Sequence, residues 1–192
     1  TTIHSFFQLP FTPFIPGNGT VENASVASKQ TLISKLRFNK EKKELLQSLD
    51  LLVIDEISMV RCDVLDAIDA VLRHFRNNNK PFGGLQMLFI GDMYQLPPVV
   101  QDQEWHLLQD YYSGPFFFNS QVVKEQPPVY IELQTIYRQS DEHFIDLLNQ
   151  VRNNQLTQDG LALLNSRYHP DFIPPPDHNY ITLTTHNRKA DD

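Results

Sequence analysis

The sequence predicts an α/β domain with a mostly parallel sheet flanked by helices and a small irregular insertion. Residues 51–54 and 85–90 form two short apolar runs with little polar alternation, the pattern of strands buried on both faces. Between them, Val64, Leu65, Ile68, Val71, Leu72 and Phe75 recur at helical spacing, so a helix is expected to connect the two runs. A strand-helix-strand order of this kind makes the strands parallel. Both runs also stop in polar residues, Asp55-Glu56 after the first and Gly91-Asp92 after the second, where a parallel sheet opens its ligand crevice.

The chain starts Thr-Thr-Ile-His-Ser-Phe-Phe-Gln-Leu. Hydroxyl and imidazole donors at Thr2, Ser5 and His4 suit contact with a phosphate backbone at a strand-to-helix junction. Helix capping by Ser5 and a structural role for His4 are the competing uses. Residues 10–28 are rich in Pro, Gly, Asn, Ser and Thr and are expected as loops or short irregular strands. Phe6, Phe7, Phe11 and Phe14 cluster around this segment, either as a local mini-core or as rings that stack on bases. Residues 39–49 begin at a capping-type Asn39, pass through Lys40-Glu41-Lys42-Lys43-Glu44 and end in Leu45, Leu46 and Leu49. This reads as a helix with a solvated charged face that feeds the first strand.

At the end of that strand the adjacent carboxylates can divide the work of magnesium-nucleotide chemistry. Asp55 offers hard oxygens to a magnesium shell, and Glu56 orients or deprotonates an attacking water. A plain strand end is the competing reading. Residues 77–84 hold Asn77-Asn78-Asn79-Lys80-Pro81 and Gly83-Gly84, which break the connecting helix before the second strand. After that strand, Gly91 permits a tight turn, Gln95 can reach a terminal phosphate or its water, and Pro97-Pro98 stiffen the loop. Parallel strands end on one edge of the sheet, so Asp55, Glu56 and Gln95 are expected to converge on a single nucleotide.

Farther along, Trp105 and the triplet Phe116-Phe117-Phe118 read as packing groups. Residues 129–133 read as a third strand, with Arg138 just past its end. There a guanidinium can bridge phosphate oxygens or make a surface salt bridge. Amphipathic helices are expected from Asp141 and from near Asp159, a proline-rich linker at 174–176 and a short strand at 180–184.

Taken in order, these segments resemble the Pif-type DNA helicases of superfamily 1B, with RecD-like helicases as more distant kin. LLVIDEISMV resembles the family's Walker B segment, and GGLQMLFIGDMYQLPPVV its motif III. The opening TTIHSFFQL resembles motif Ia, LQTIYRQ motif IV, and LTTHNRKADD the entry into the second motor domain. The resemblance implies a partial RecA-like P-loop NTPase domain. Its segments would be motif Ia at 1–9, an inserted loop or wedge-like subdomain at 10–38, the motor core at 39–170, and a linker with the start of the second motor domain at 171–192.

The resemblance further implies ATP-dependent 5′-to-3′ translocation and unwinding, with roles in DNA repair, recombination and telomere maintenance. ATP and Mg²⁺ would be the cofactors, and Asp55 would serve the metal. Glu56 would act on the water, with Gln95 and Arg138 on the γ-phosphate, while Thr2, His4, Ser5 and Pro97 would touch DNA. Single-stranded and forked duplex DNA are the implied partners, together with the rest of the same polypeptide.

No Gly-x-x-x-x-Gly-Lys-Ser/Thr occurs in the sequence, so the loop that cradles the β- and γ-phosphates is missing from these residues. The chain begins at Thr1 within a motif, and we read it as a piece of a longer helicase that is inactive alone. A non-catalytic nucleic-acid or protein-interaction module derived from such a motor is the alternative. The net charge of −7 runs against nucleic-acid binding and implies that this piece alone binds DNA weakly. The single cysteine, Cys62, excludes an internal disulfide and fits a reducing, intracellular setting. No apolar run approaches the roughly 20 residues needed to cross a bilayer, so no membrane partner is expected. The seven histidines lack ligand spacing.

Overall fold

The computed structural model describes residues 1–17, 26–175 and 180–185. Expectations that fall on Asn18, Gly19, Pro176 or residues 186–192 lie outside them. The chain divides into two compact units, Thr1–Glu132 and Leu133–Asp192. The boundaries expected from the motifs, at 9, 38 and 170, do not coincide with this division.

The first unit begins with helix α1 (Ile3–Phe7) and two short strands, β1 (Phe14–Ile15) and β2 (Ala27–Ser28), which pair in parallel. Helix α2 (Lys29–Lys35) starts at Ser28, which exchanges hydrogen bonds with Thr31 in a capping box. Helix α3 (Lys40–Ser48) is capped by Asn39, whose Oδ1 accepts from the Lys42 N–H at 2.8 Å. Strand β3 (Leu51–Ile54) then leads through a 3-10 turn (Ile57–Met59) into helix α4 (Cys62–Phe75). A second 3-10 turn (Pro81–Gly84) precedes strand β4 (Gln86–Phe89). β3 and β4 pair in parallel, from Leu51 opposite Gln86 to Ile54 opposite Phe89, as the strand-helix-strand pattern requires. Helices α5 (Asp102–Leu108) and α6 (Gln121–Glu125) complete this unit.

Helix α4 holds the unit together in two ways. Its apolar face puts Leu65, Ile68, Val71 and Leu72 at full burial, and truncating any of these to alanine costs about 2–5 kcal/mol. Its acidic residues, set three apart, accept backbone N–H groups from segments distant in sequence. Asp63 takes Phe14 N–H at 3.0 Å, Asp66 takes Gln121 and Val122 N–H at 2.9 Å each, and Asp69 takes Phe82 N–H at 2.6 Å. Asp66 also accepts from the Tyr112 hydroxyl at 2.9 Å. Near the other end, Arg76 donates to the carbonyls of Leu46, Leu49 and Gly83.

Several expectations are corrected. Strand β3 is covered on one face only: Leu51 and Val53 are 44% and 48% exposed while Ile54 is buried. Residues 129–133 form no strand, and Val129 and Ile131 are 89% and 78% exposed. Residues 180–184 are likewise outside any strand. An extended segment becomes a strand only when a neighbour takes its N–H and C=O groups, and the described residues contain two two-stranded sheets with no pairing to these segments. The described residues of the insertion-like segment contribute to the main core. Phe14, Ala27, Leu32, Leu36 and Phe38 belong to the same core as Leu65 and Ile68.

The second unit contains helix α7 (Glu142–Arg152) and helix α8 (Gln158–Asn165). Asp141 caps the first, accepting from His143 and Phe144 N–H, and Thr157 caps the second, accepting from Gly160 N–H at 3.1 Å.

Candidate nucleotide and DNA site

The tips of β3 and β4 stand side by side because the ladder continues past both strands. Ile90 N–H donates to the Ile54 carbonyl and Ile57 N–H to the Ile90 carbonyl, each at 2.9 Å. Gly91 sits against that junction. A methyl group on it would lie 3.0 Å from the Ile57 nitrogen and Cγ2, and 3.2 Å from the Ser58 nitrogen. Gly91 is absent from the positive-φ residues, and what its missing side chain supplies here is the close approach of two backbones.

Asp55 and Glu56 project at this edge, both exposed. Asp55 Oδ1 accepts the Glu56 N–H at 2.9 Å, and Glu56 holds a left-handed backbone with φ 51°. A non-glycine residue held there is strained by of order 1–3 kcal/mol, a cost concentrated at functional positions. The strain turns the chain out of the strand into the 3-10 turn, whose Met59 N–H donates to the Glu56 carbonyl at 3.0 Å.

Past β4, Asp92 folds the following loop onto itself. Its Oδ1 accepts Tyr94 N–H at 3.0 Å, its Oδ2 accepts from the Gln95 amide nitrogen at 3.2 Å, and its carbonyl accepts Gln95 N–H at 3.1 Å. Asp92 thus holds the exposed Gln95 at the start of the loop that leaves β4. The sequence named Asp92 only as the end of a run, although a loop Asp commonly accepts the backbone N–H two residues on, here that of Tyr94, as an Asx-turn. Pro97 is exposed and Pro98 buried, so one proline anchors the loop and the other faces outward. Arg138 belongs to the second unit, exposed at a bend, and does not follow a strand end as expected.

A metal would fit the exposed carboxylate edge in a particular way. Among the described residues, no group of three or more His, Cys, Asp or Glu side chains could hold a metal ion. An exposed Asp55 with one oxygen bonded to its neighbour's backbone suits Mg²⁺, which takes one or two carboxylates and completes its shell with water and substrate phosphates.

The residues expected to face DNA lie on and around α1. Thr2 caps this helix, with its hydroxyl accepting Ser5 N–H at 3.3 Å. Capping therefore falls to Thr2, and the exposed Ser5 side chain is left for other uses. The His4 ring stacks on Phe11 at 5.1 Å with planes 14° apart. Burial, followed by the positive charge of Arg61, lowers the His4 pKa from its usual value, with Asp63 opposing.

Beside α1, a cleft of about 450 Å³ is lined by Ser5, Phe6, Gln8, Arg37 and Lys42, with one acid, Glu41, among its walls. Lys42 Nζ stands 3.1 Å from the centre of the Phe6 ring, and burial lowers its pKa. Arg37 bonds only backbone carbonyls of Ser34 and Leu36. This basic cleft was not legible in the sequence, where Lys42 read as one charge on a solvated helix face.

Arg61 lies between the 3-10 turn and α4. It donates to Asp63 through two nitrogens and to Glu104 through a third, each at 2.8 Å. Burial works against its charge, yet these bonds raise its pKa above the usual arginine value. Next to it, burial and then the Asp63 charge push the Cys62 thiol up to about 12.

Comparison with known proteins places this arrangement. The family model for PIF1-like helicases matches residues 1–160. The ATP-dependent DNA helicase RRM3 of Saccharomyces cerevisiae is 34% identical over 145 residues, spanning 74% of this chain and 18% of the relative. The human ATP-dependent DNA helicase PIF1 is 46% identical over 101 residues, 53% of this chain and 14% of the relative. A crystal structure of Pif1 helicase from Bacteroides in complex with ADP-AlF3 and single-stranded DNA superposes with a TM-score of 0.85 at 40% identity. It covers 100% of this chain and 41% of that one. The present chain therefore spans a minor part of each relative. With its strand order, its paired strand tips and the match over residues 1–160 in agreement, the chain belongs to the PIF1-like helicase family.

Proposed function

We propose that these residues form part of the first motor domain of an ATP-dependent DNA helicase that moves 5′ to 3′ on single-stranded DNA and unwinds duplexes. The observation that supports the reading is the closed junction of β3 and β4, from which the segment of Asp55 and Glu56 and the loop of the Asp92-held Gln95 both leave. Relatives named ATP-dependent DNA helicases, and a Bacteroides relative crystallised with ADP-AlF3 and single-stranded DNA, support it. A further solved structure, 44% identical to this chain, concerns DNA unwinding at forked duplex DNA by two coordinating Pif1 helicases.

Asp55 would hold water around Mg²⁺, which when bound neutralises charge on the phosphate oxygens. Glu56 accepts a proton from the attacking water as its oxygen bonds to the γ-phosphorus and the bond to the β-phosphate bridging oxygen breaks. Gln95 positions that water or a γ-phosphate oxygen, and Arg138 pairs with the γ-phosphate. Thr2, His4, Ser5 and Pro97 contact DNA, and the basic cleft of Arg37 and Lys42 supplies local positive charge despite the net −7. The rest of the polypeptide supplies the phosphate loop and the second motor domain. The setting is intracellular, and no helix of the described residues is long and apolar enough to cross a membrane.

The test uses the protein translated from the full reading frame on forked duplexes carrying a single-stranded tail of either polarity. Strand separation that requires a 5′ tail and consumes ATP is the expected result, with negligible turnover by residues 1–192 alone. Robust DNA-stimulated turnover by residues 1–192 would refute the division of labour. The absence of a phosphate-loop motif within these residues favours a second reading, a non-catalytic binding module. A full reading frame without Gly-x-x-x-x-Gly-Lys-Ser/Thr would support that module.

A further inference from the structure

A separate pocket of about 480 Å³ opens beside α1, and its walls come from three stretches of the first unit. Its lining includes His4 and Phe11 from the opening segment, Met59 and Arg61 from the turn after β3, and Val99 and Glu104 from the loop and helix after β4. Phe11 is 86% exposed, so its ring contributes little to the core and packing does not explain its size. One face of that ring stacks on His4, with the planes only 14° apart. Met59 and Val99, 46% and 81% exposed, add apolar surface around the same pocket. Together they make an uncovered apolar patch bounded by polar groups.

The charges in the pocket decide what it can hold. Among the described residues Arg61 is the one arginine or lysine lining it, and its side-chain hydrogen bonds go to Asp63 and Glu104. Glu104 is likewise engaged by Arg61 and by Gln101 N–H. Burial and the neighbouring Arg61 also favour a neutral His4 ring. No cation is left over for a phosphate, whereas the cleft of Arg37 and Lys42 has two. A flat, uncharged, aromatic group matches the surface that remains.

We propose that this pocket takes one nucleobase of a bound DNA strand, stacked on the outer face of Phe11 and walled by Met59 and Val99. The proposal rests on the DNA-helicase reading and adds to it a base-stacking residue, Phe11, together with the two segments that would sense the base. Met59 lies three positions after Glu56 and Val99 four after Gln95. A seated base would therefore touch the continuation of both nucleotide-facing segments. Stacking of this kind tolerates any base sequence, because every base presents a π-face.

The experiment uses the full-length protein and single-stranded oligonucleotides carrying 2-aminopurine at successive positions. Binding of the wild-type protein is expected to change the fluorescence strongly at one position by stacking. Phe11→Ala should remove that signal and weaken binding about tenfold, with the salt dependence of affinity unchanged because no phosphate contact is lost. Phe11→Trp should retain both signal and affinity. Phe11 is exposed, so Phe11→Ala leaves the core intact, and unchanged melting of the variant checks it. Retention of the signal and affinity by Phe11→Ala overturns the base pocket while leaving the helicase reading intact. Failure of the wild-type protein to bind the oligonucleotides overturns both.

Discussion

Ile57 N–H donates to the Ile90 carbonyl at 2.9 Å, so the turn that follows the paired acids is tied directly to the end of the neighbouring strand. Gly91 stands at this tie with no room for a side chain. Gly91→Ala is expected to lower the urea midpoint by the equivalent of about 1–3 kcal/mol of overpacking, since a methyl would stand 3.0 Å from backbone as well as side chain. Its turnover in the full-length protein should fall further than stability alone explains, because separating the tips moves Glu56 relative to Gln95. Unchanged turnover would show that the junction does not position the acids.

Glu56→Gln removes the proton acceptor but keeps the shape of the side chain. Steady-state hydrolysis by the full-length protein should drop by about 10²-fold or more, while the affinity for a labelled ATP analogue stays within a few-fold. Retained DNA unwinding by this variant would remove Glu56 from the proposed role.

Among the described residues no carboxylate pairs with Arg37 or Lys42: Arg37 bonds backbone carbonyls and Lys42 stands over the Phe6 ring. Replacing both with glutamine should weaken DNA binding for all sequences alike. It should also reduce the slope of log K against log salt by about 1–2. An unaltered slope would place the phosphate contacts elsewhere.

Asp66 sets an unusual pH response. Burial raises its pKa although it accepts three hydrogen bonds, and burial raises Asp69 in the same direction. A raised folded-state value means that the native protein holds the proton more tightly than the unfolded chain. The contribution is therefore fully present below the ordinary aspartate value and is lost as pH rises through the raised one. Across that window the urea midpoint should fall less steeply with rising pH in Asp66→Asn than in the wild type. The variant should also be less stable throughout by about 1–3 kcal/mol, because an amide NH₂ then faces backbone N–H groups.

Cys62 is fully buried with its pKa pushed up to about 12. Almost no thiolate exists at neutral pH, so a disulfide reagent should leave it unlabelled in native buffer and label it completely in urea. Rapid native labelling would contradict the packing around Leu108 and Tyr112.

What the sequence disclosed is what depends on local pattern. The capping asparagine before α3, the aspartate before α7, the periodicity of α4 and the parallel pairing of β3 with β4 all follow from short-range rules. Features set by distant partners were not legible. Asp63, Asp66 and Asp69 look like ordinary helix acids until Phe14, Phe82, Gln121 and Val122 arrive with unpaired N–H groups. Residues 129–133 have strand composition but no pairing neighbour in this structure. The short helices α2, α5 and α6 have too few residues to advertise a period. For the site, the acids and the amide were named from the sequence, whereas the Asp92 clasp, the Lys42–Phe6 contact and the pocket at Phe11 exist only after folding.

The acceptors along α4 also dictate an order of assembly. Phe14 must wait 49 residues for Asp63, and Asp66 must wait for Val122, 56 residues farther on. At ribosomal speeds of about 5–20 residues per second, the opening segment leaves the exit tunnel several seconds before its anchor is made. During that interval Phe7, Phe14 and Leu32 lack the α4 residues with which they share a core, and α4 is the element whose emergence ends that exposure.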